Sequence, residues 1–90
     1  MDCLVLITRR GCCLCEGLEQ KLAALVPPPA VALVDVDGDP VLQHRYGLEV
    51  PVLLIRRSDG DRELPRLPPR LAGASLLAWL QKHGWFGQDG

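Results

Sequence analysis

Three of the four cysteines in this 90-residue chain crowd into Gly11-Cys12-Cys13-Leu14-Cys15. A spacing of three places Cys12 and Cys15 on the same face of a helix, close enough to form a disulfide without large motion. The string follows the apolar run Leu4-Val5-Leu6-Ile7 and opens a helical pattern. Cys12 is thereby expected at a helix N-terminus, among backbone N–H groups that favour a negative charge. The thiolate is the reactive form of cysteine, so this placement points to thiol–disulfide exchange with Cys12 as nucleophile. Arg9 and Arg10 bring two guanidinium groups within a few residues, and positive charge lowers a thiol pKa. Cys15, one turn further in, is expected to be less exposed. Cys13 projects about 100° round the helix from Cys12. A disulfide between these adjacent residues would be strained, so Cys13 is read as a spectator. Cys3 falls in the first apolar run and is assigned no role.

These groups need a scaffold. Residues 3–8 read as a strand buried on both faces, because the run is apolar throughout. Residues 12–26 read as a helix, with Leu14, Leu18, Leu22 and Leu25 on its apolar stripe. Gly17 costs that helix about 1 kcal/mol relative to alanine. Pro27-Pro28-Pro29 ends it, and residues 30–36 read as a second buried strand. Asp37-Gly38-Asp39-Pro40 is a turn, with Asp39 as N-cap and Pro40 at the first position of a short helix that reaches Tyr46 and stops at Gly47. Residues 51–55 form a third strand, residues 58–61 a hairpin turn, and residues 61–66 a weak edge strand ended by Pro65. Pro68-Pro69 lies in a loop. Ser75 is placed as the cap of a last helix bearing Leu76, Leu77 and Leu80, which Gly84 ends. The segment from Trp85 to Gly90 is assigned to no element; Trp79 and Trp85 are read as packing residues, with Trp85-Phe86 an exposed patch if the tail does not fold back. The order is β-α-β-α-β-β-α in one domain spanning residues 1–90. Its first three elements should form a parallel, right-handed unit.

This order, the CxxC after the first strand and Val50-Pro51 before the third resemble the thioredoxin superfamily. The length and the Cys-Cys-Leu-Cys-Glu string are similar to small bacterial glutaredoxin-like domains. The resemblance covers about residues 3–83. It implies a three-layer α/β/α fold with a four-stranded mixed sheet, Cys15 as the resolving thiol, and a cis Val50-Pro51 bond facing the CxxC. The exposed backbone of Val50 would then pair with an extended substrate. Arg9 matches a basic residue of glutaredoxins. Glu49, by contrast, stands where they carry threonine. Leu71-Ala72-Gly73-Ala74-Ser75 keeps one glycine and no carboxylate where they carry a Gly-Gly pair and an aspartate, and Leu14 replaces the aromatic residue common between the cysteines. These departures argue against glutathione as substrate.

A net charge of −1 with no long run of like charge argues against nucleic acid and anionic membrane as partners. No stretch approaches the roughly 18–20 apolar residues of a membrane span. Met1-Asp2 and the short run ending in Arg9-Arg10 do not read as a secretory signal, so a cytoplasmic home is expected. Asp35-Val36-Asp37-Gly38-Asp39 has its glycine and its final residue, Tyr46, in the wrong places for a calcium loop. His44 and His83 are isolated, and no metal site is assigned. Pro65 to Arg70 matches a proline-rich docking pattern, but more simply stiffens a loop. The expectation is a monomeric dithiol oxidoreductase without an organic cofactor, acting on a protein or low-molecular-weight disulfide. An iron–sulfur or metal carrier using Cys12 as ligand, and a non-catalytic interaction module, remain as alternatives.

Overall fold

The computed structural model describes residues 3–86. Met1, Asp2 and residues 87–90, including most of the unassigned tail, lie outside them. Strand β1 (Cys3–Thr8) is followed by α1 (Cys13–Ala23), β2 (Val31–Asp35), a 3-10 turn (Val36–Gly38), α2 (Pro40–Tyr46), β3 (Val52–Arg57), β4 (Gly60–Glu63) and α3 (Gly73–Lys82). The sheet order is β2-β1-β3-β4. β1 runs parallel to β2 and antiparallel to β3, and β3 is antiparallel to β4.

Alternation along β1 and β3 builds two cores from one sheet. Leu4, Leu6, Leu53 and Ile55 face α1 and α3, where they meet Leu18, Leu22, Leu76 and Leu80. Val5, Ile7, Val52 and Leu54 face the other way, against Val36 and Tyr46 of the 3-10 turn and α2. Successive side chains of a strand point to opposite faces, so a strand covered on both sides must be apolar at every position. The result is three layers with helices on both faces.

Three expectations need correction. β2 is an edge strand rather than a buried one, and Leu33 remains 51% exposed. An apolar run looks the same whether one or both neighbours are present, so composition alone could not separate the two cases. α1 ends at Ala23, three residues short of the expected limit, and Leu14 is 59% exposed instead of joining the core stripe. Ser75 is not the N-cap of α3. Ala72 holds that position, and the Ser75 hydroxyl, in the first turn, accepts from the Ala72 N–H at 3.2 Å and donates to the Ala72 carbonyl at 2.8 Å.

The chain does not leave the core where α3 ends. Gly84 adopts φ +102°, a left-handed conformation that favours glycine. Trp85 folds back under the helix, its N–H donating to the Leu80 carbonyl at 2.9 Å and its ring 2% exposed. Phe86 points outward. Trp85→Ala is expected to cost about 3–5 kcal/mol in denaturant unfolding, as large-to-small core changes do. Phe86→Ala should stay within about 0.5 kcal/mol.

Candidate functional site

β1 is bonded to strands on both sides, so the point where it ends is fixed. Beyond Thr8 the chain turns through Arg10-Gly11, closed by the Cys12 N–H donating to the Arg9 carbonyl at 3.1 Å. Gly11 sits at φ +80°, which a side chain would disfavour. This turn delivers Cys12 in an extended conformation (φ −90°, ψ 110°) as the N-cap of α1. Serine or aspartate usually fills that position, offering an oxygen to the first free N–H groups. Here the Cys12 sulfur does so, accepting from the Cys15 N–H at 3.2 Å.

The two cysteines are driven apart in character. The Cys12 thiol is pushed below its ordinary value, first by a hydrogen bond from the Cys15 side chain, then by the Cys15 and Leu14 N–H groups and the charge of Arg9; partial desolvation opposes this. Cys15 is fully buried. Burial pushes its thiol up, and the hydrogen bond it gives to Cys12 pushes the same way, while Thr8 and the Arg9 backbone act in opposition. Cys13 is exposed and Cys3 half-buried. No disulfide joins the four cysteines, which are all free thiols.

Arg9 and Arg10 differ. Arg10 is exposed in the turn. Arg9 grips Asp37 with a fork, Nε and Nη2 each 2.9 Å from a carboxylate oxygen, and its Nη1 donates to the Gly47 carbonyl at 2.8 Å. Gln43 donates to the same carboxylate at 3.1 Å. The guanidinium therefore ties the end of β1 to the 3-10 turn and to the C-terminus of α2. A residue joining the site from 28 positions away escaped the sequence reading, which took Asp37 for a turn former. The available signal was topological, since parallel neighbours end side by side and the segments following β1 and β2 must meet. The other acids of that turn act as expected of caps. Asp35 accepts from the Asp37 N–H at 2.9 Å and Asp39 from the Val41 N–H at 2.8 Å.

The Val50-Pro51 peptide is cis. The β1–β3 ladder begins at Ile7 and Val52, so Val50 precedes the first paired residue of β3. Pro51 lines a cavity with Cys13 and Leu14, which places it beside the cysteine string. Glu49 is exposed next to it. Among the described residues no three His, Cys, Asp or Glu side chains converge as metal ligands, and no helix is long and apolar enough to cross a membrane.

A CxxC at the start of the first helix, a cis proline beside it and a mixed four-stranded sheet between helices define a thioredoxin-like fold. The chain belongs to the Glutaredoxin-like domain (DUF836) family, whose model matches residues 3–81. It is similar to a solved structural-genomics target protein, XcR50 from X. campestris. The two share 35% identity with a TM-score of 0.60, over 88% of this chain and 96% of that one. A malarial protein shares the fold at 14% identity and a TM-score of 0.57, over 94% of this chain and 99% of that one. No curated protein matches the sequence.

The Arg9–Asp37 pair generates a pH prediction. Its hydrogen bonds to Arg9 hold the Asp37 carboxyl below the usual carboxylate range. A depressed pKa gives stability that is present above the unfolded value, about 3.9, and is lost as pH falls through the lower native one. Unfolding measured between about pH 2 and 6 should therefore lose part of its acid sensitivity in Asp37→Asn.

Proposed function

We propose that the protein is a thiol–disulfide oxidoreductase in which Cys12 attacks and Cys15 resolves. The observation that carries this reading is the asymmetry of the pair. One sulfur is accessible and held toward its anion at a helix N-terminus. The other, one turn inward, is buried and held toward its neutral thiol.

The reaction follows from that asymmetry. The Cys12 thiolate attacks one sulfur of a substrate disulfide, forming a mixed disulfide and releasing the other substrate sulfur as a thiolate, which takes a proton. Cys15 then loses its proton and attacks the Cys12 sulfur. The second substrate thiol leaves and Cys12–Cys15 becomes the disulfide. The substrate gains two electrons from the protein pair and two protons, one released by Cys15 and one taken from solvent because Cys12 enters as the thiolate. An external thiol donor must restore the reduced pair. Cys15 is oriented for the second step because its N–H and its thiol already address the Cys12 sulfur. The unpaired stretch at Val50, before β3, is suited to hold the substrate backbone.

Two measurements test this. The pH profile of alkylation at Cys12 should have its midpoint below the free value of about 8.5. Cys15→Ala removes the largest influence lowering it and should raise that midpoint, whereas Cys15→Ser keeps a donor and should raise it less. A profile centred at or above the free value in the native chain contradicts the assignment. The second measurement is capture. Cys15→Ser should retain substrates as mixed disulfides through Cys12, and Cys12→Ser should retain none.

A further inference from the structure

Gly17 has no conformational reason to be glycine. It lies inside α1 with no positive φ, and a Cβ built there would meet nothing within 4 Å. Alanine would favour the helix. What Gly17 does have is an open space beside it. A cavity of about 170 Å³ lies between α1, Pro51 and the loop after β4, with Cys13 and Leu14 at its α1 end and Leu18 and Leu67 along its wall. Apolar cavities near 150 Å³ accept a group the size of benzene. Leu14, expected in the core, instead lies exposed at this space. Two cations also line it. Lys21 donates to the Pro69 carbonyl, and Arg66 is exposed with no ion-pair partner among the described residues. Beyond Pro51 a smaller cavity, about 50 Å³, is lined by Glu49 and Glu63 and again by Arg66, so Arg66 stands where the cationic space meets an acidic one.

We infer that this cavity is a side-chain pocket for a protein substrate, taking an apolar residue adjacent to the reactive cysteine of an extended segment, with an acidic residue of that segment at Arg66. The inference rests on the thiol-exchange reading of Cys12. The pocket opens at Cys13 and Leu14, the residues following Cys12, so a segment bonded through Cys12 and lying along Val50 passes over it. Glutathione has no apolar side chain to fill such a pocket, and Arg9, whose charge reaches Cys12, is closed onto Asp37. Gly17 is then a specificity-determining residue, because any side chain there projects into the space the substrate occupies.

The test compares three disulfides reduced by the full-length protein: a peptide with Asp-Leu before its cysteine, the same peptide with Asp-Gly, and glutathione disulfide. The native chain should favour the leucine peptide over the glycine peptide by about tenfold in kcat/KM, the scale of discrimination an apolar pocket provides. Gly17→Leu should bring that ratio close to one, and Arg66→Ser should weaken the leucine peptide in a salt-dependent way. Gly17→Ala, which should raise the unfolding midpoint, guards against misfolding and should lower the ratio partly. Equal rates for the two peptides, a ratio that survives Gly17→Leu, or glutathione disulfide reacting fastest would overturn the inference while leaving Cys12 chemistry intact. A native chain inert toward all three overturns the thiol-exchange reading and the inference together.

Discussion

The structure depends on β1 being held from both sides. Parallel pairing with β2 and antiparallel pairing with β3 fix its register, and the two helical layers bury its alternate faces. A strand constrained in this way ends at one place and in one direction. The turn at Gly11 then has a rigid base, and Cys12 reaches the N-terminus of α1 without freedom to wander. The electrostatics of the sulfur follow from that position. Its hydrogen bond from the Cys15 N–H is a helix-capping bond, so the contact that starts the helix is also one that favours the thiolate.

Arg9 shows the same economy. Its charge reaches Cys12, but its hydrogen bonds go to Asp37 and Gly47, and these stitch the ends of β1, β2 and α2 together. Gly47 matters in that stitch because a Cβ there would strike the Gln43 carbonyl and come within 3.6 Å of the Arg9 guanidinium. The cation is a fastener first and an electrostatic neighbour of the thiol second. A basic residue beside the thiol is thus accounted for by the fold, without a ligand.

Much of this was legible in the residues. Continuous apolar runs gave β1 and β3, Asp39-Pro40 gave the start of α2, and strand–CxxC–helix gave the place of Cys12 at the N-terminus of α1. What was not legible depended on lateral neighbours. Val31 to Asp35 could not announce that one edge lies open, and Leu14 fits the helical stripe although α1 turns it away from the core. Trp85 carries no periodic signal, so its place under α3 was not legible, but its reading as a packing residue agrees with its burial. The Arg9–Asp37 pair required knowledge of which strands are adjacent. Local chemistry was readable from local sequence, whereas exposure and long-range pairing arise only once the layers are assembled.

The order of burial along the chain has a bearing on synthesis. The cysteine string lies in the first fifteen residues, but β1 is completed by β3, and α1 is covered by α3 and Trp85 from the far end of the described chain. On a ribosome the N-terminal segment emerges first. The thiols of Cys12, Cys13 and Cys15 therefore leave the tunnel well before β3 and α3 exist. For that interval all three are ordinary exposed thiols, and the burial that sets Cys15 apart from Cys12 and Cys13 comes only once the later chain has folded over it.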